Sequence, residues 1–401
     1  MKHTAFAALF VLSAALSWSE QRVQLEFAYE AGEQYRILST VEQDVWINGA
    51  HSHRSTILNR ISISVPRVEA GRGYIRATFV TSEEAVGGAA EVFAWGNEYE
   101  SEFWRDRFGY YEIDPRYYMP VVRDVPVFPD RLLEPGDTWS VAGHEMHDFR
   151  RSFGIPEPYR FPIPVAYQLV DIVERDGRDF ALLSVRYNVF YRPDRRYPGA
   201  IYPVRISGFS DQLVYWDLRA GRPHEYEEEY SFVFTLSSGD EVVYEGTAGA
   251  RVIEASRMDR TRIAAEVRQD LNDLGFDDQE VVETDRGITI RLDNILFPPD
   301  SSLLLESEQL KLAGIARILE RYPDRDVLIG GHTALAGTEA GRLQLSQDRA
   351  ASVAGYLLRI GVRDRDQMIL RGFGATEPVA GNDTDAGRRR NRRVEITILE
   401  N

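Results

Sequence analysis

The sequence predicts an α+β multidomain protein: an antiparallel all-β domain, sandwich or barrel-like, followed by a two-layer α/β domain with the order β-α-β-α-β-β. Two observations lead to this fold class. Up to about residue 255, short runs of alternating apolar and polar residues are separated by turn residues, which is typical of antiparallel strands. From residue 259 onward, apolar residues recur at helical spacing between short apolar strands, which is typical of an α/β layer.

These changes of period set the expected domain boundaries. We predict a signal peptide at 1–19, a β-rich domain at 20–255, a linker helix at 256–280 and a second domain at 281–401. With 43% hydrophobic and 27% charged residues, the chain of 401 residues is globular and long enough for two cores.

The N-terminal segment has the order of an export signal. Lys2 and His3 give a basic start, residues 5–18 are almost wholly apolar, and Ser17 to Ser19 supplies residues for cleavage. The apolar run is too short to anchor the chain across a bilayer. The sequence has no cysteine, so it offers no lipid attachment site and no disulfide, which fits a bacterial envelope protein. We therefore expect a periplasmic protein, free or associated with the outer membrane.

Composition narrows the class of partner. The formal charge of −16, from 63 acidic and 47 basic residues, argues against nucleic acid, because a phosphate backbone is bound by a positive surface. It also argues against simple electrostatic attachment to anionic lipid. No later segment is long and apolar enough to form a transmembrane helix.

The β-rich domain is predicted from its alternation and its turns. Turn signals at Asn48-Gly49 and Asp176-Gly177 separate strand-like runs. Residues 110–164 differ, because they hold much of the proline and tyrosine. Proline interrupts a strand ladder, so we predict a long ordered excursion or a crossover between sheets there. Its aromatic residues cover an open end of the domain or, alternatively, form a carbohydrate- or partner-binding surface.

The second domain is predicted from apolar stripes and short apolar runs. Apolar residues at helical spacing indicate helices at 259–274, at 302–322 and from 338 onward. Short runs that favour strands occur at 281–282, 288–292, 327–329, 368–371 and 393–399.

One stretch of this domain combines the features of a small binding site. The apolar run 327–329 leads into Gly330-Gly331, which predicts a buried strand that ends in a glycine turn. Ser346 and Arg349 lie on the helix that follows, where both are able to point towards the turn. A strand end, a glycine turn and a helical arginine form a pocket suited to a small anionic group. Nothing in this stretch is a nucleophile held by a base.

Several motifs in this domain occur in the order of a known family. They are residues 294–297 (Asn-Ile-Leu-Phe) with Asp300-Ser301, Gly331-His332-Thr333, Leu345-Ser346 with Arg349-Ala350, Gly372-Phe373-Gly374 with Pro378, and residues 391–396 (Asn-Arg-Arg-Val-Glu-Ile). Together they resemble the OmpA-like peptidoglycan-binding domain of the OmpA, Pal and MotB family, over roughly 281–401. The β-rich domain shows no comparable resemblance.

The resemblance implies a periplasmic module that binds the diamino acid of the cell-wall stem peptide without covalent chemistry. In the family, an aspartate directly after Gly-x-Thr receives the ligand's ammonium, and the helix arginine receives a carboxylate. Arg349 matches that arginine, but Ala334 stands at the aspartate position and Arg342 replaces the usual asparagine. A lost carboxylate–ammonium hydrogen bond weakens binding when the other partner is desolvated.

The predicted peptidoglycan-binding residues are Phe297, Thr333, Ala334, Arg349 and Arg392. Structural alternatives remain for some of them. Arg349 pairs alternatively with a neighbouring acid such as Glu339 or Asp348, and Thr333 caps the turn. Of Arg392 and Arg393, we expect one to face the pocket and the other to face solvent.

The sequence predicts no metal site, no cofactor and no enzyme active site. His51-x-His53 and His144-x-x-His147 lack the second cluster that a zinc site needs, and the latter pair is one residue short of the His-Glu-x-x-His spacing. No Gly-x-Ser-x-Gly element is present.

Two functions therefore remain. The first is a non-catalytic envelope protein that tethers a component to peptidoglycan. The second is an interaction protein that keeps the fold, has lost or altered wall binding, and binds a protein partner through its β domain. An enzyme site in the tyrosine-rich region is a weaker third possibility.

Overall fold

The computed structural model describes residues 22–86, 92–150, 152–254, 258–276, 279–284, 286–292, 297–298, 301–364 and 367–400. The predicted signal peptide at 1–19 lies outside the described residues. Within the described part, no helix is long and apolar enough to cross a membrane. The division at residues 255 and 281 stays a prediction.

The N-terminal domain is one antiparallel sheet of twelve strands in the order β5-β4-β3-β2-β1-β12-β11-β10-β9-β8-β7-β6. Most connections join neighbouring strands, so the sheet is largely a meander that is closed in the middle by the pairing of β1 with β12. The strands are β1 (Glu33–Ile47), β2 (Ala50–Glu69), β3 (Arg72–Val86), β4 (Val92–Arg105), β5 (Tyr111–Ile113), β6 (Val122–Arg123), β7 (Thr138–His147), β8 (Tyr159–Arg175), β9 (Arg178–Tyr191), β10 (Pro203–Asp217), β11 (Arg222–Leu236) and β12 (Glu241–Glu254).

The sheet curls until distant strands meet. The ring of His147 on β7 lies 6.3 Å from that of Phe234 on β11, although three strands separate β7 from β11 in the sheet. On the other side, the Tyr99 hydroxyl on β4 donates to Asp148, just after β7, at 2.8 Å. The predicted barrel-like form is therefore observed, and the sandwich alternative is wrong because a single sheet folds over its own aromatic core.

The prediction for the proline-rich region is only partly right. Residues 106–137 do run mainly outside regular strands. However, β8 passes through Pro162 and Pro164, which pair with His144 and Ala142 of β7. Both prolines are exposed between buried neighbours. Prolines are tolerated here because they stand at alternate positions of one strand near the end of the sheet, so the ladder is weakened rather than broken.

The C-terminal domain has a five-stranded mixed sheet in the order β13-β14-β17-β15-β16. The predicted helices and strands are present, but a short helix between the last two strands, α4, was missed, so the order β-α-β-α-β-β is incomplete. The elements are α1 (Arg260–Asp273), β13 (Glu280–Thr284), β14 (Gly287–Leu292), α2 (Glu306–Leu319), β15 (Val327–Gly331), α3 (Glu339–Arg359), β16 (Met368–Gly372), α4 (Asp385–Asn391) and β17 (Val394–Leu399).

Helices cover one face of this sheet. Ala350, Val353 and Leu357 of α3 are fully buried and pack in one core with Ile315 of α2. Val267 and its apolar neighbours on α1 belong to the same core. The apolar stripe of each helix thus accounts for its packing, and α1 is part of the second domain's core.

Buried charges join the two domains. The guanidinium of Arg36 on β1 donates to the Asp326 carboxylate just before β15. Nε of Arg60 on β2 lies 3.9 Å from the same carboxylate, and its Nη2 donates to the Met368 carbonyl at 3.2 Å. All three charged side chains are nearly buried, at 5–8% exposure. A third ion pair joins Arg371 to Glu98. The interface is therefore polar and specific.

Candidate functional site

The candidate site forms where β15 ends and α3 begins. Gly331 closes β15 directly against α3, and an added Cβ would lie only 1.9 Å from the carbonyl oxygen of Ser346. Gly372 of β16 also lies close to α3, since an added Cβ would lie 2.7 Å from the Ser346 hydroxyl. Glycine at both strand ends lets the helix approach the sheet closely enough to fix the loop between them.

Ser346 ties the helix to the neighbouring loop. Its hydroxyl donates to the Leu343 carbonyl at 2.7 Å and accepts from the backbone N–H of Gly374 at 2.9 Å. The carbonyl of Gly374 in turn accepts from the N–H of Thr333 at 2.7 Å. Hydrogen bonds through Ser346 and Gly374 thus hold the loop after β15 to the loop after β16. Both residues belong to the motifs quoted from the sequence.

The start of α3 is capped from this loop. The Thr338 hydroxyl accepts from the N–H of Gly341 at 3.1 Å, as expected of an N-cap residue. The guanidinium of Arg342 donates to the Gly337 carbonyl at 2.6 Å. Arg342 therefore stabilises the turn itself.

A second set of hydrogen bonds, centred on Asn391, was missed by the sequence analysis. Its side-chain oxygen accepts from the N–H groups of Val379 and Ala380 at 2.9 and 3.0 Å. Its amide nitrogen donates to the side-chain oxygen of Asn382, which also accepts from the N–H of Leu335. Asn391 lies in one of the motifs quoted from the sequence, directly before Arg392 and Arg393. That position in the motif was the available signal for its role.

Arg349 is held in a fixed position beside this loop. It is only 6% exposed. Its Nε donates to the carbonyl of Ser301 at 3.1 Å, and its guanidinium carbon lies 5.1 Å from the centre of the Phe297 ring. The predicted residues Arg349 and Phe297 are thus brought together by a cation–π contact.

Thr333 and Ala334 lie buried in the loop itself, at 6% and 5% exposure. The Thr333 hydroxyl has no hydrogen-bond partner among the described residues. The turn-capping alternative for Thr333 is therefore not realised, and its hydroxyl is a candidate ligand contact. The side chain of Ala334 supplies no charge.

Of the two arginines before β17, Arg392 is exposed and Arg393 is buried. Arg393 donates to the Glu395 carboxylate at 2.7 Å and to the Glu377 carbonyl at 3.1 Å. Both precede β17, which begins at Val394. Arg393 is therefore part of an internal polar network, and the role of Arg392 stays a prediction.

His332 completes this network on the helix-free face of the sheet. Its ring stacks on Phe373 at 4.8 Å, and Nε2 lies 3.7 Å from the Glu395 carboxylate. Burial lowers the pKa of His332. Burial alone would raise the pKa of Glu395, but the contacts with His332 and Arg393 outweigh it and lower the pKa to about 2.

Glu395 is expected to make the domain sensitive to acid. Its ordinary pKa of 4.5 falls to about 2 in the folded protein, so its stabilising effect is complete above pH 4.5 and is lost as pH falls towards 2. The full effect is on the order of 3 kcal/mol. We expect Glu395→Gln to lower the free energy of unfolding at pH 7 and to flatten its dependence on pH below 4.5. Urea denaturation across this range measures both.

The control is Glu283→Gln, which removes an exposed carboxylate from the same sheet. Glu283→Gln should leave the pH dependence of the free energy of unfolding unchanged. An equal flattening in both variants would show that general charge, and not the Glu395 network, sets the acid sensitivity.

The site consists of a strand end, a glycine turn and a buried arginine. The described residues contain no cluster of three or more side chains that could hold a metal ion. Residues 296–392 match the OmpA family. This segment of the chain is therefore an OmpA-family domain, which confirms the resemblance predicted from the motifs.

Individual relatives match the same part of the chain. The probable lipoprotein YiaD of Escherichia coli (strain K12) is 38% identical over 105 residues, 26% of this chain and 48% of that protein. The peptidoglycan-binding protein ArfA of Mycobacterium tuberculosis is 38% identical over 104 residues, 26% of this chain and 32% of that protein. The match thus spans less than half the length of either relative.

Among solved structures, the cell wall anchor of the T6SS from Pseudomonas aeruginosa is 30% identical. The similarity covers 36% of this chain and 100% of that chain, with a TM-score of 0.30.

Proposed function

We propose that the OmpA-family domain binds peptidoglycan without covalent chemistry and tethers an envelope component to the cell wall. The relative ArfA, which is named for peptidoglycan binding, is similar over this domain. The observation that carries the proposal is the placement of Arg349, a nearly buried cation held by Ser301 and Phe297.

Such an arginine suits the carboxylate of a stem peptide. A guanidinium binds a carboxylate through two parallel hydrogen bonds, and burial strengthens that interaction. Because Nε is bonded to Ser301, the side chain is already oriented, so little conformational entropy is lost when a ligand binds. Phe297, Thr333 and Arg392 are the proposed supporting contacts.

The protein is proposed to be exported to the periplasm, where peptidoglycan is reached without crossing a membrane. The absence of cysteine from the sequence means that no thiol is present for a lipid anchor. Association with the outer membrane would then run through the β domain.

A second function is favoured by Ala334. The family resemblance places an aspartate there, and the methyl group of alanine has no charge to receive an ammonium. In this alternative the domain keeps its fold, wall binding is weakened or lost, and the β domain binds an envelope protein partner.

Co-sedimentation of the full chain with purified peptidoglycan distinguishes the two functions. If the domain anchors the chain, we expect saturable binding that falls on the order of tenfold or more in Arg349→Ala, because a hydrogen bond to a charged group is lost. Arg359→Ala, at the exposed end of the same helix, removes the same charge and should bind like the native chain. Thermal unfolding of each variant shows whether the fold persists.

Ala334→Asp tests the alternative directly. Sedimentation of Ala334→Asp but not of the native chain would mean that the pocket is intact and wall binding has been lost. If none of these proteins sediments with peptidoglycan, the tethering function is wrong and a protein partner of the β domain should be sought.

A further inference from the structure

The inside of the β domain contains a belt of polar side chains. Residues that pair directly across neighbouring strands share one face of a sheet. Gln43, Tyr230, Ser210 and Tyr187 follow one another in this way across β1, β11, β10 and β9, with Gly246 of β12 between the first two. Tyr187 belongs to the domain's aromatic core, so the whole row faces inward.

Two carboxylates lie within this belt. Glu228 on β11 accepts a hydrogen bond from the Ser210 hydroxyl at 2.7 Å. Glu145 on β7 is 3% exposed, and its Oε2 lies 2.6 Å from Nε2 of His147. The other oxygen of Glu145 has no hydrogen-bond partner among the described residues.

These carboxylates influence each other and the tyrosine between them. Burial raises the pKa of Glu228, partly offset by hydrogen bonds from Ser210 and Gln212, and the charge of Glu145 raises it further. Burial raises the pKa of Tyr187 well above its usual value, and the charges of both glutamates add to this effect. Tyr187 pairs directly across from Ser210, the hydrogen-bond partner of Glu228, so both glutamates act on this one stretch of the interior.

No arginine or lysine in the described part of the chain forms an ion pair with Glu145 or Glu228. Glu145 is buried, and its ion-pair partner, His147, is a cation only when protonated. A buried carboxylate without a permanent cation costs several kcal/mol relative to water. A domain that only needed a stable interior would place apolar side chains here, as it does elsewhere in the same sheet. The free-energy cost of keeping these carboxylates inside the domain indicates a role in binding.

Solvent reaches the belt, and aromatic rings surround it. Gln43, Gln212, Glu228 and Tyr230 face inward but are only half-buried. The rings of Phe161 and Phe234 lie 5.3 and 6.3 Å from that of His147, which contacts Glu145. An entering molecule would thus meet negative charge at the two glutamates and an apolar wall beside Glu145.

We propose that the interior of the β domain binds an amphiphilic ligand that carries a protonated amine, with the ammonium placed at Glu145 and Glu228 and the apolar body against Phe161 and Phe234. An ammonium group supplies hydrogen-bond donors to the unpartnered oxygen of Glu145. It also relieves the repulsion between the two acids. An anion would increase that repulsion, and a multivalent metal ion lacks a third carboxylate or imidazole in suitable geometry among the described residues.

The probe is n-hexylamine, with n-hexanol as a neutral control of matched length. We expect millimolar n-hexylamine at pH 7 to raise the melting temperature of the full chain, because a ligand that binds the folded state stabilises it, and n-hexanol to raise it much less. Glu228→Gln and Glu145→Gln should each weaken the effect at least tenfold in amine concentration. Glu227→Gln, next along the strand but facing outward and exposed, should respond like the native chain.

A second measurement uses no ligand. Because Glu228 is half-buried and has no arginine or lysine partner among the described residues, Glu228→Gln should melt at the same temperature as the native chain or above it, with an unchanged far-ultraviolet circular dichroism spectrum. A large fall in melting temperature would assign the carboxylate a structural role and overturn the proposal. Absence of stabilisation by the amine, or equal stabilisation of the native chain and Glu228→Gln, would also overturn it.

Discussion

Replacement of Asp326 by alanine should release the C-terminal domain from the β domain while both domains stay folded. The Asp326 carboxylate contacts the guanidinium groups of Arg36 and Arg60, and all three side chains are nearly buried. Removing one member of a buried ion pair leaves uncompensated charge and costs about 3–5 kcal/mol. Two arginines would be left here. Undocking returns both of them to water, so it relieves that cost without unfolding either domain.

Each domain has a hydrophobic core of its own, so the two domains are able to separate without unfolding. Among the described residues, the buried core of the C-terminal domain contains only residues from Met258 onward, and the two core clusters of the β domain contain only earlier residues. Neither domain therefore depends on the other for its main hydrophobic stabilisation. The polar interface resembles a separable contact between domains more than a shared core.

Small-angle X-ray scattering and calorimetry measure the separation. We expect Asp326→Ala to increase the radius of gyration and to give two unfolding transitions. Asp324→Ala, two residues earlier and exposed, removes the same charge and should leave both properties unchanged. An unaltered radius of gyration in Asp326→Ala would show that other contacts, such as that of Arg371 with Glu98, hold the domains together.

The C-terminal fold was predictable because its signals are local. The stripe of Ala350, Val353 and Leu357 and the cap at Thr338 lie within one helix, and the structure places both as the pattern requires. The seven-residue helix α4 was missed because its arginine-rich sequence carries no apolar stripe. It is stabilised instead by the Thr384 cap and the contacts of Asn391.

The curl of the β domain was not predictable to the same extent, because it depends on contacts between distant strands. Alternation of apolar and polar residues along a strand indicates which residues share a face. It does not indicate which distant strand those residues contact. The approach of His147 to Phe234 joins residues far apart in sequence. For the same reason, alternation in the acidic run 227–229 places Glu228 on the opposite face from Glu227 and Glu229, but it does not show that this face becomes the inside of the curled sheet.

The candidate site was partly predictable. Arg349 and Phe297 come from separate motifs, and their contact of 5.1 Å confirms that the motifs meet in space. The carbonyl of Ser301 that orients Arg349 gave no side-chain signal, because any residue supplies a backbone oxygen. The burial of Arg393 likewise depends on Glu395 and Glu377, which its position in the motif alone does not specify.

Replacement of Gly331 by alanine should strongly destabilise the C-terminal domain. The new Cβ would lie 1.9 Å from the Ser346 carbonyl oxygen, and neither the strand nor the helix is able to move without disturbing the other. Overpacking a core costs about 1–3 kcal/mol, and more where backbone is involved. We expect a loss of at least about 3 kcal/mol in the free energy of unfolding of this domain, measured by urea denaturation.

Gly355→Ala is the matched control, because it makes the same substitution in the same domain. Gly355 lies within α3, and an added Cβ there meets no atom within 4 Å. Alanine favours a helix over glycine by about 0.5–1 kcal/mol, so this variant should be more stable than the native chain. The two substitutions should thus change the free energy of unfolding in opposite directions. If Gly331→Ala were tolerated as well as Gly355→Ala, the close approach of α3 to the end of β15 would be wrong, and so would the placement of Thr333 and Ala334 that depends on it.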